Sequence, residues 1–449
     1  NTHNTSNATN TPNTPNTSGY TTDSDVHLGL AQLHGHFGKY MTDYKKAQKI
    51  LEENDQEQLL RFYGELSDSE KEELTEQILT LDFSVLASLI DRNRPSLRGK
   101  ISPLSAMQIG DIQKNRERFT REGLSVIRAG KTAAVLLAGG MGTRLGSSGP
   151  KGTYDIGITR HVFIFQCLFE NLMSSVKEAD TWIHLFIMTS SRNDTETREF
   201  IKSHNYFGYK PEYVTFFIQD AAPAVDFNGK ILLEEKYRIA TSPNGNGGWF
   251  SSMVRAGLTG KMHDEGIEWL NVFSVDNVLQ KICEPCFIGA VLQSGCASGS
   301  KVVRKAGPDE KIGVMCLEDG KPSVVEYIEM TDELRNTMDK NGEPAYNFGV
   351  ILNYLFNVAE LERVLSRKMP LHLAKKKIPF IDEKGFPVIP NEPNGYKFEL
   401  FILDLIHEMP GCLPYEVMRN SDFAPIKNKT GVDSVESARE LCRVNNIVL

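Results

Sequence analysis

Residues 131–157 read KTAAVLLAGGMGTRLGSSGPKGTYDIG. The apolar run Thr132 to Ala138 has the length of a buried strand, and it runs straight into Gly139, Gly140 and Gly142. Three readings of this turn compete. A dinucleotide fingerprint needs G-x-G-x-x-G, but from Gly140 the spacing is one residue too long. The next strand candidate, TWIHLFIMTS, also ends in Thr189 and Ser190 instead of a ribose-holding acid. A Walker A loop needs G-x-x-x-x-G-K-[ST], and the turn contains no Gly-Lys-Ser/Thr. A purely structural turn would use glycine for positive φ. It does not account for Arg144 and Lys151 in the same loop, with Pro150 fixing the backbone just before the lysine. Glycine-rich backbone offers N–H groups to phosphate oxygens, and two cations add charge where a triphosphate would lie.

Outward from this turn, strand and helix patterns alternate. Phe165, Leu168, Phe169 and Leu172 form an i, i+3, i+4, i+7 stripe. TWIHLFIMTS reads as a strand, Asp194 to Lys202 as a charged helix, YVTFFIQ as a strand, Trp249 to Met262 as a helix and EWLNVFSVDN as a strand. This alternation predicts an α/β fold: a Rossmann-like domain whose mixed, mostly parallel sheet has helices on both faces. Further on, GVMCLEDGKPSVVEY reads as a hairpin turning at Asp319-Gly320. Helices are expected near Leu400 to Glu408 and Val435 to Arg443. The predicted organisation is a disordered Asn/Thr-rich tail (1–22), an N-terminal helical layer (23–125), a central domain (126–388) and a small C-terminal α/β piece (389–449). In the helical layer, QEQLLRFYGEL places Leu59, Leu60, Phe62 and Leu66 on one stripe. Ser67 and Glu70 have capping-box spacing, and His34 and His36 read as surface or packing histidines.

The bulk numbers narrow the function. Of 449 residues 40% are hydrophobic and 24% charged, an ordinary globular balance. The net charge of −8 argues against a non-specific nucleic-acid binder. No apolar stretch is long enough to span a membrane, and no secretory signal precedes the fold. Seven scattered cysteines fit a reduced, cytoplasmic setting, and the lone C-x-x-C at Cys283 and Cys286 lacks the further ligands of a zinc site.

A series of motifs extends the reading: LLAGGMGTRLGSSGPKGTYDIG, ILLEEK, PNGNGG, VDN, VVEY, KKKIP, PNGYKFE and FAPIKN, in this order. Together they resemble the eukaryotic UDP-N-acetylhexosamine pyrophosphorylases, relatives of the UDP-glucose and UDP-sugar pyrophosphorylases, from about Gln56 to Lys427. The resemblance implies a nucleotidyltransferase that makes UDP-N-acetylglucosamine and pyrophosphate from UTP and N-acetylglucosamine 1-phosphate. It does so reversibly, by in-line attack at the α-phosphorus. Such chemistry needs positioning and charge neutralisation and no protein nucleophile.

By the same resemblance, Ala138, Gly139, Gly140, Gly142, Thr143, Gln219 and Gly245 surround the nucleotide. Arg144, Lys151 and Lys427 neutralise the reacting phosphates, and Asp276 holds Mg²⁺ or Mn²⁺. Asn246, Gly313, Glu326 and Lys397 meet the sugar phosphate. Two departures bear on the sugar: YNFGV replaces the usual FNAGN, so Val350 stands where an asparagine is expected, and Leu403 replaces an aromatic residue. A relaxed UDP-sugar pyrophosphorylase and a non-catalytic sugar-nucleotide sensor are the rival readings. The sensor is disfavoured by retention of Lys151, Asp276 and Lys427. Monomer and homodimer are both open.

Overall fold

A computed structural model describes residues 42–91, 98–367 and 369–449. The tail at 1–22, His34 and His36 lie outside the described residues. The chain forms two compact units. One holds residues up to Leu81 with Leu233–Ile239 and Ile381–Pro387; the other holds Asp82–Leu232, Ala240–Phe380 and Val388–Leu449.

In the first unit, helix α1 (42–53) leads to α2 (Asp68–Thr80). The capping box forms: Glu70 N–H donates to Ser67 Oγ, and Ser67 N–H donates to the Glu70 carboxylate at 2.8 Å. The expected helical stripe before it is instead two 3₁₀ turns, Glu57–Leu60 and Tyr63–Glu65. Leu59, Phe62 and Leu66 are still buried.

The second unit is built on a 10-stranded sheet. Strands β1 (Thr132–Leu137), β2 (His184–Thr189), β3 (Val214–Ile218) and β4 (Trp269–Ser274) are parallel, in the order β4-β1-β2-β3. Beyond β4 the sheet turns antiparallel. Further strands are β5 (Ser298–Arg304), β6 (Val314–Glu318), β7 (Lys321–Val325), β8 (Phe348–Asn357), β9 (His372–Lys376), β10 (Gly395–Glu399) and β11 (Cys412–Glu416), and Ile101–Pro103 adds a strand to the large sheet by pairing antiparallel with β6. β8 pairs antiparallel with β4, β5 and β6, while β9 and β10 form a separate small sheet. The hairpin turns at Asp319-Gly320 as expected, with both residues at positive φ.

Period-two alternation explains how one strand serves two cores. Ala134 and Leu136 join the cluster under α3 (Ile109–Arg128), α4 (Ile164–Ala179) and α8 (Pro285–Ser294). Ala133, Val135 and Leu137 join the opposite cluster, with α6 (Trp249–Arg255) and α7 (Leu258–Asp264). The α4 stripe Phe165, Leu168, Phe169 and Leu172 is buried. The single helix expected from Trp249 to Met262 is broken because Gly257 takes φ 75°, which ends α6 and opens α7.

The expected domain limits at 125 and 388 do not separate compact units. Helix α3 packs along α8, and β11 pairs parallel with β5, so residues 82–125 and 389–449 both belong to the sheet unit. Helices α5 (Asp194–Ser203), α9 (Ile402–Glu408) and α10 (Val435–Val444) complete the unit.

Candidate active site

The order β4-β1-β2-β3 fixes where a ligand can sit. From β1 the chain builds outward through β2 and β3, then returns to place β4 on the other side of β1. The strand order reverses between β1 and β4, and at such a reversal the carboxyl ends of the two strands are where an open α/β sheet takes its ligand. The glycine turn follows β1, and Asp276 follows β4.

The turn closes on itself. Gly142 N–H donates to Gly149 O at 2.9 Å, and Lys151 N–H donates to Gly140 O at 3.1 Å. Residues 143 and 144 stand exposed on its rim, whereas Lys151 is folded inward with a buried side chain. Gly139, Gly140 and Gly142 have no positive φ; in this loop only Gly146 does, at 77°. Space, not dihedral freedom, explains Gly139 and Gly142. A Cβ on Gly139 would lie 3.1 Å from Gln219 Oε1, and one on Gly142 would lie 3.0 Å from Ser147 Cβ. Gly140 opens outward with nothing near its Cβ direction.

Lys151 Nζ donates to Asp276 Oδ1 at 2.5 Å, joining residues 125 positions apart. The third expected cation is brought to the same place by backbone pairing. Ile426 N–H donates to Asp276 O at 2.9 Å, which sets Lys427 next to the residue paired with Asp276. Its Nζ is held by Asp433 at 3.1 Å, inside a turn closed by Lys427 N–H donating to Asp433 O. Arg144 makes no ion pair with another described residue. Lys151 thus pairs with Asp276 and Lys427 with Asp433, while Arg144 stands exposed on the rim of the glycine turn.

A second group adjoins it. Gln219, one residue past β3, donates from Nε2 to Gly245 O at 2.7 Å and to Asn244 Oδ1 at 3.5 Å, leaving its Oε1 for a ligand edge. Gly245 has φ 86°, and a Cβ there would strike Leu400 O at 2.3 Å. Asn246 is brought here too, but its Oδ1 accepts from Ile402 N–H at 3.0 Å and pins the start of α9. Lys397 on β10 is half-buried, and burial together with Lys376 lowers its pKa. Gly313 and Glu326 form a third group: a Cβ on Gly313 would sit 3.3 Å from Glu326 Oε1. Burial and the neighbouring Glu329 raise the Glu326 pKa. Val350 joins them, its N–H donating to Gly313 O at 2.9 Å. Helix α9 packs against β7, the strand that leads into Glu326.

Sequence reading missed the groups that hold these parts. Buried Asn193 donates from Nδ2 to Ala138 O and Gly140 O and accepts Ser190 N–H. Its place just before the charged helix was the only available signal. Asp433 lies in no motif, and PNGNGG by itself does not show that Asn244 O accepts Leu400 N–H at 2.7 Å.

No group of three or more His, Cys, Asp or Glu side chains among the described residues could enclose a metal ion. Asp276 supplies a carboxylate just past β4, its side chain about one-third exposed. That donor set suits an ion held mainly by water and ligand phosphates, as Mg²⁺ usually is, and not a protein cage.

A glycine turn, converging lysines and one carboxylate at the switch point of a parallel sheet are the working parts of a nucleotidyltransferase. A family model described as UTP–glucose-1-phosphate uridylyltransferase matches residues 87–446, and the chain belongs to that family. It is 39% identical over 358 residues to the UDP-N-acetylglucosamine pyrophosphorylase of Saccharomyces cerevisiae, covering 76% of this chain and 74% of that one. It is 34% identical over 419 residues to UDP-N-acetylglucosamine diphosphorylase 1 of Arabidopsis thaliana, covering 87% and 81%. Among solved structures, it is similar to the uridine diphosphate N-acetylglucosamine pyrophosphorylase of Trypanosoma brucei in complex with inhibitor. The TM-score there is 0.76 and the identity 28%, over 89% of this chain and 84% of that one. No described helix is long and apolar enough to cross a membrane.

Proposed function

We propose that this enzyme transfers the uridylyl group of UTP to N-acetylglucosamine 1-phosphate, releasing pyrophosphate and forming UDP-N-acetylglucosamine. The observation that carries the reading is the Lys151–Asp276 pair at the mouth of β1 and β4, beside the glycine turn.

The sugar phosphate oxygen is already anionic, so the protein need not remove a proton. The α-phosphorus gains a bond to that oxygen and loses its bond to the β-phosphate oxygen. Charge builds on the leaving pyrophosphate, and Arg144 and Lys151 are placed to neutralise it. Lys427 approaches from the Asp276 side, between the α-phosphate and the incoming phosphate. Ala138, Gly139, Gly140, Gly142 and Thr143 offer backbone to the nucleotide, and Gln219 with Gly245 meets the uracil. Asp276 would hold Mg²⁺ or Mn²⁺, which supplies charge neutralisation across the phosphates when bound. Lys151 then exchanges its carboxylate partner for phosphate oxygen. Lys397 faces the sugar phosphate, and Glu326, Gly313 and Asn246 face the sugar; with its Oδ1 engaged, Asn246 presents only its N–H donors.

Pyrophosphate release from UTP and Mg²⁺ with N-acetylglucosamine, N-acetylgalactosamine and glucose 1-phosphates tests the assignment. Highest kcat/KM is expected for an N-acetylhexosamine 1-phosphate. A clear preference for glucose 1-phosphate would favour the relaxed reading that Val350 suggests.

A further inference from the structure

The segment from β10 into α9 is locked to the 244–248 loop at several points. Leu400 N–H donates to Asn244 O at 2.7 Å, Gly247 N–H donates to Leu400 O at 2.8 Å, and Ile402 N–H donates to Asn246 Oδ1. A Cβ on Gly247 would meet Phe401 C at 2.4 Å. Between these anchors the Phe401 ring stands out, 37% exposed. Only one described ring stacks on it: His372 of β9, with centroids 4.5 Å apart and planes 28° apart. His372 Nε2 is 2.9 Å from Asp404 Oδ2, and the same oxygen accepts Phe401 N–H at 3.2 Å. One carboxylate therefore ties both the Phe401 backbone and the ring stacked on its side chain. Neither His372 nor Asp404 has a place in the proposed chemistry.

We infer that His372, held by Asp404, is a positioning residue that fixes the Phe401 ring and the first turn of α9 beside Asn246, and so sets affinity for the sugar phosphate and not for the nucleotide. The inference rests on the reaction proposed above. Its geometric reason is leverage. The nucleotide side of the loop is fixed independently, by Gln219 on Gly245 O. The sugar side hangs on the 400–404 segment, whose outer support is the histidine. The titratable groups facing His372 are Asp404 on α9 and Glu399, its register partner on β10. The Asp404 hydrogen bond, against burial, raises the histidine pKa, with Asp404 and Glu399 adding charge attraction. The imidazolium–carboxylate pair is therefore strongest on the acid side of that raised pKa and weakens as pH rises through it.

The test uses the full chain with His372→Ala, His372→Gln and Asp404→Asn, and measures KM for UTP and for N-acetylglucosamine 1-phosphate separately. His372→Ala is expected to raise the sugar phosphate KM about 5- to 20-fold with the UTP KM within about twofold. His372→Gln, which keeps a donor for Asp404 but no ring, should fall between. In the wild type, kcat/KM for the sugar phosphate should decline as pH rises through the histidine pKa, and Asp404→Asn should flatten that decline. Equal rises in both KM values, or no rise, would overturn the inference. Amide exchange at 400–402 needs no substrate and separates this inference from the reaction itself. Exchange is expected to quicken in His372→Ala, and unchanged exchange overturns the positioning role whatever the wild type catalyses. A wild type that releases no pyrophosphate while those amides quicken would sink the reaction and the affinity claim, leaving only a structural prop.

Discussion

Lys151 and Asp276 satisfy each other in this structure, and that mutual pairing is what a polyphosphate must interrupt. Replacing either leaves the other without its partner at the site of charge development. Asp276→Ala is expected to lower kcat at least ~10²-fold, because metal and cation stabilisation of phosphates is worth several kcal/mol. Circular dichroism should show the fold retained, since the Asp276 side chain is partly exposed, while loss of the partner of buried Lys151 should lower the melting temperature. Turnover within a few-fold of wild type would remove Asp276 from the chemistry. Val350 makes the opposite kind of prediction. Its side chain lacks a hydrogen-bonding group where the family resemblance expects one, and a neutral hydrogen bond is worth roughly 0.5–1.5 kcal/mol. Val350→Asn should therefore sharpen the choice among N-acetylglucosamine, N-acetylgalactosamine and glucose 1-phosphates by about 10-fold or less, with UTP KM unchanged. Identical kcat/KM ratios in both proteins would mean that residue 350 does not meet the sugar. At the residue scale, the glycine turn with Arg144 and Lys151 points to phosphate chemistry from the sequence itself, whereas Asp276 and Lys427 are named only through the family resemblance. Partners 125 positions apart were not readable, because no local pattern records which loop end meets which.

At the scale of elements, strands and caps follow from sequence where the physics is local. A continuous apolar run predicts β1, and Ser67 with Glu70 predicts the start of α2. The 3₁₀ turns at 57–65, the break at Gly257 and the 244–248 loop depend on tertiary contacts and were misread or left blank. That loop gives a sharp test. Gly245→Ala adds a Cβ at φ 86° facing Leu400 O, so it should cost both stability and activity. A variant with unchanged melting temperature would mean that the loop can move away from residue 400. The end of β6 gives a pH test. Arg98 donates to the Glu318 carboxylate at 2.7 Å, and this hydrogen bond, against burial and helped by Gly99 N–H, lowers the Glu318 pKa to about 2. A depressed carboxylate contributes stability above its unfolded pKa and loses it as pH falls toward 2. Arg98→Ala should lower stability by roughly 1–3 kcal/mol at neutral pH, and the gap should shrink as pH falls from 4.5 toward 2. A gap independent of pH would remove Glu318 as its source.

At the scale of the molecule, β5 is tied to the start of α8 by a buried pair: Lys301 Nζ donates to Glu284 Oε2 at 2.6 Å, with the lysine side chain 1% exposed. Burial opposes ionisation of Glu284, yet Lys301 and Lys281 hold its pKa below the usual value. Lys301→Met would strand that carboxylate, at a cost of about 3–5 kcal/mol, whereas removing both charges together should cost far less. Chemical denaturation of the single and double variants decides this; equal losses would contradict the pairing. The architecture as a whole, an α/β sheet with helices on both faces, was legible from the alternation of patterns. Strand order was not, because it depends on long-range pairing. Yet strand order is what puts the glycine turn, Asp276 and Lys427 in one crevice. The account's central claim is that this crevice couples consumption of UTP to formation of a sugar nucleotide. Phosphorus NMR of a mixture of UTP, N-acetylglucosamine 1-phosphate and Mg²⁺ tests it directly. The prediction is that one UDP-N-acetylglucosamine appears for each pyrophosphate, only when all three are present, and that added pyrophosphate drives the signals back to UTP. Persistence of both substrates, or pyrophosphate accompanied by UMP in place of the UDP-sugar, would contradict it.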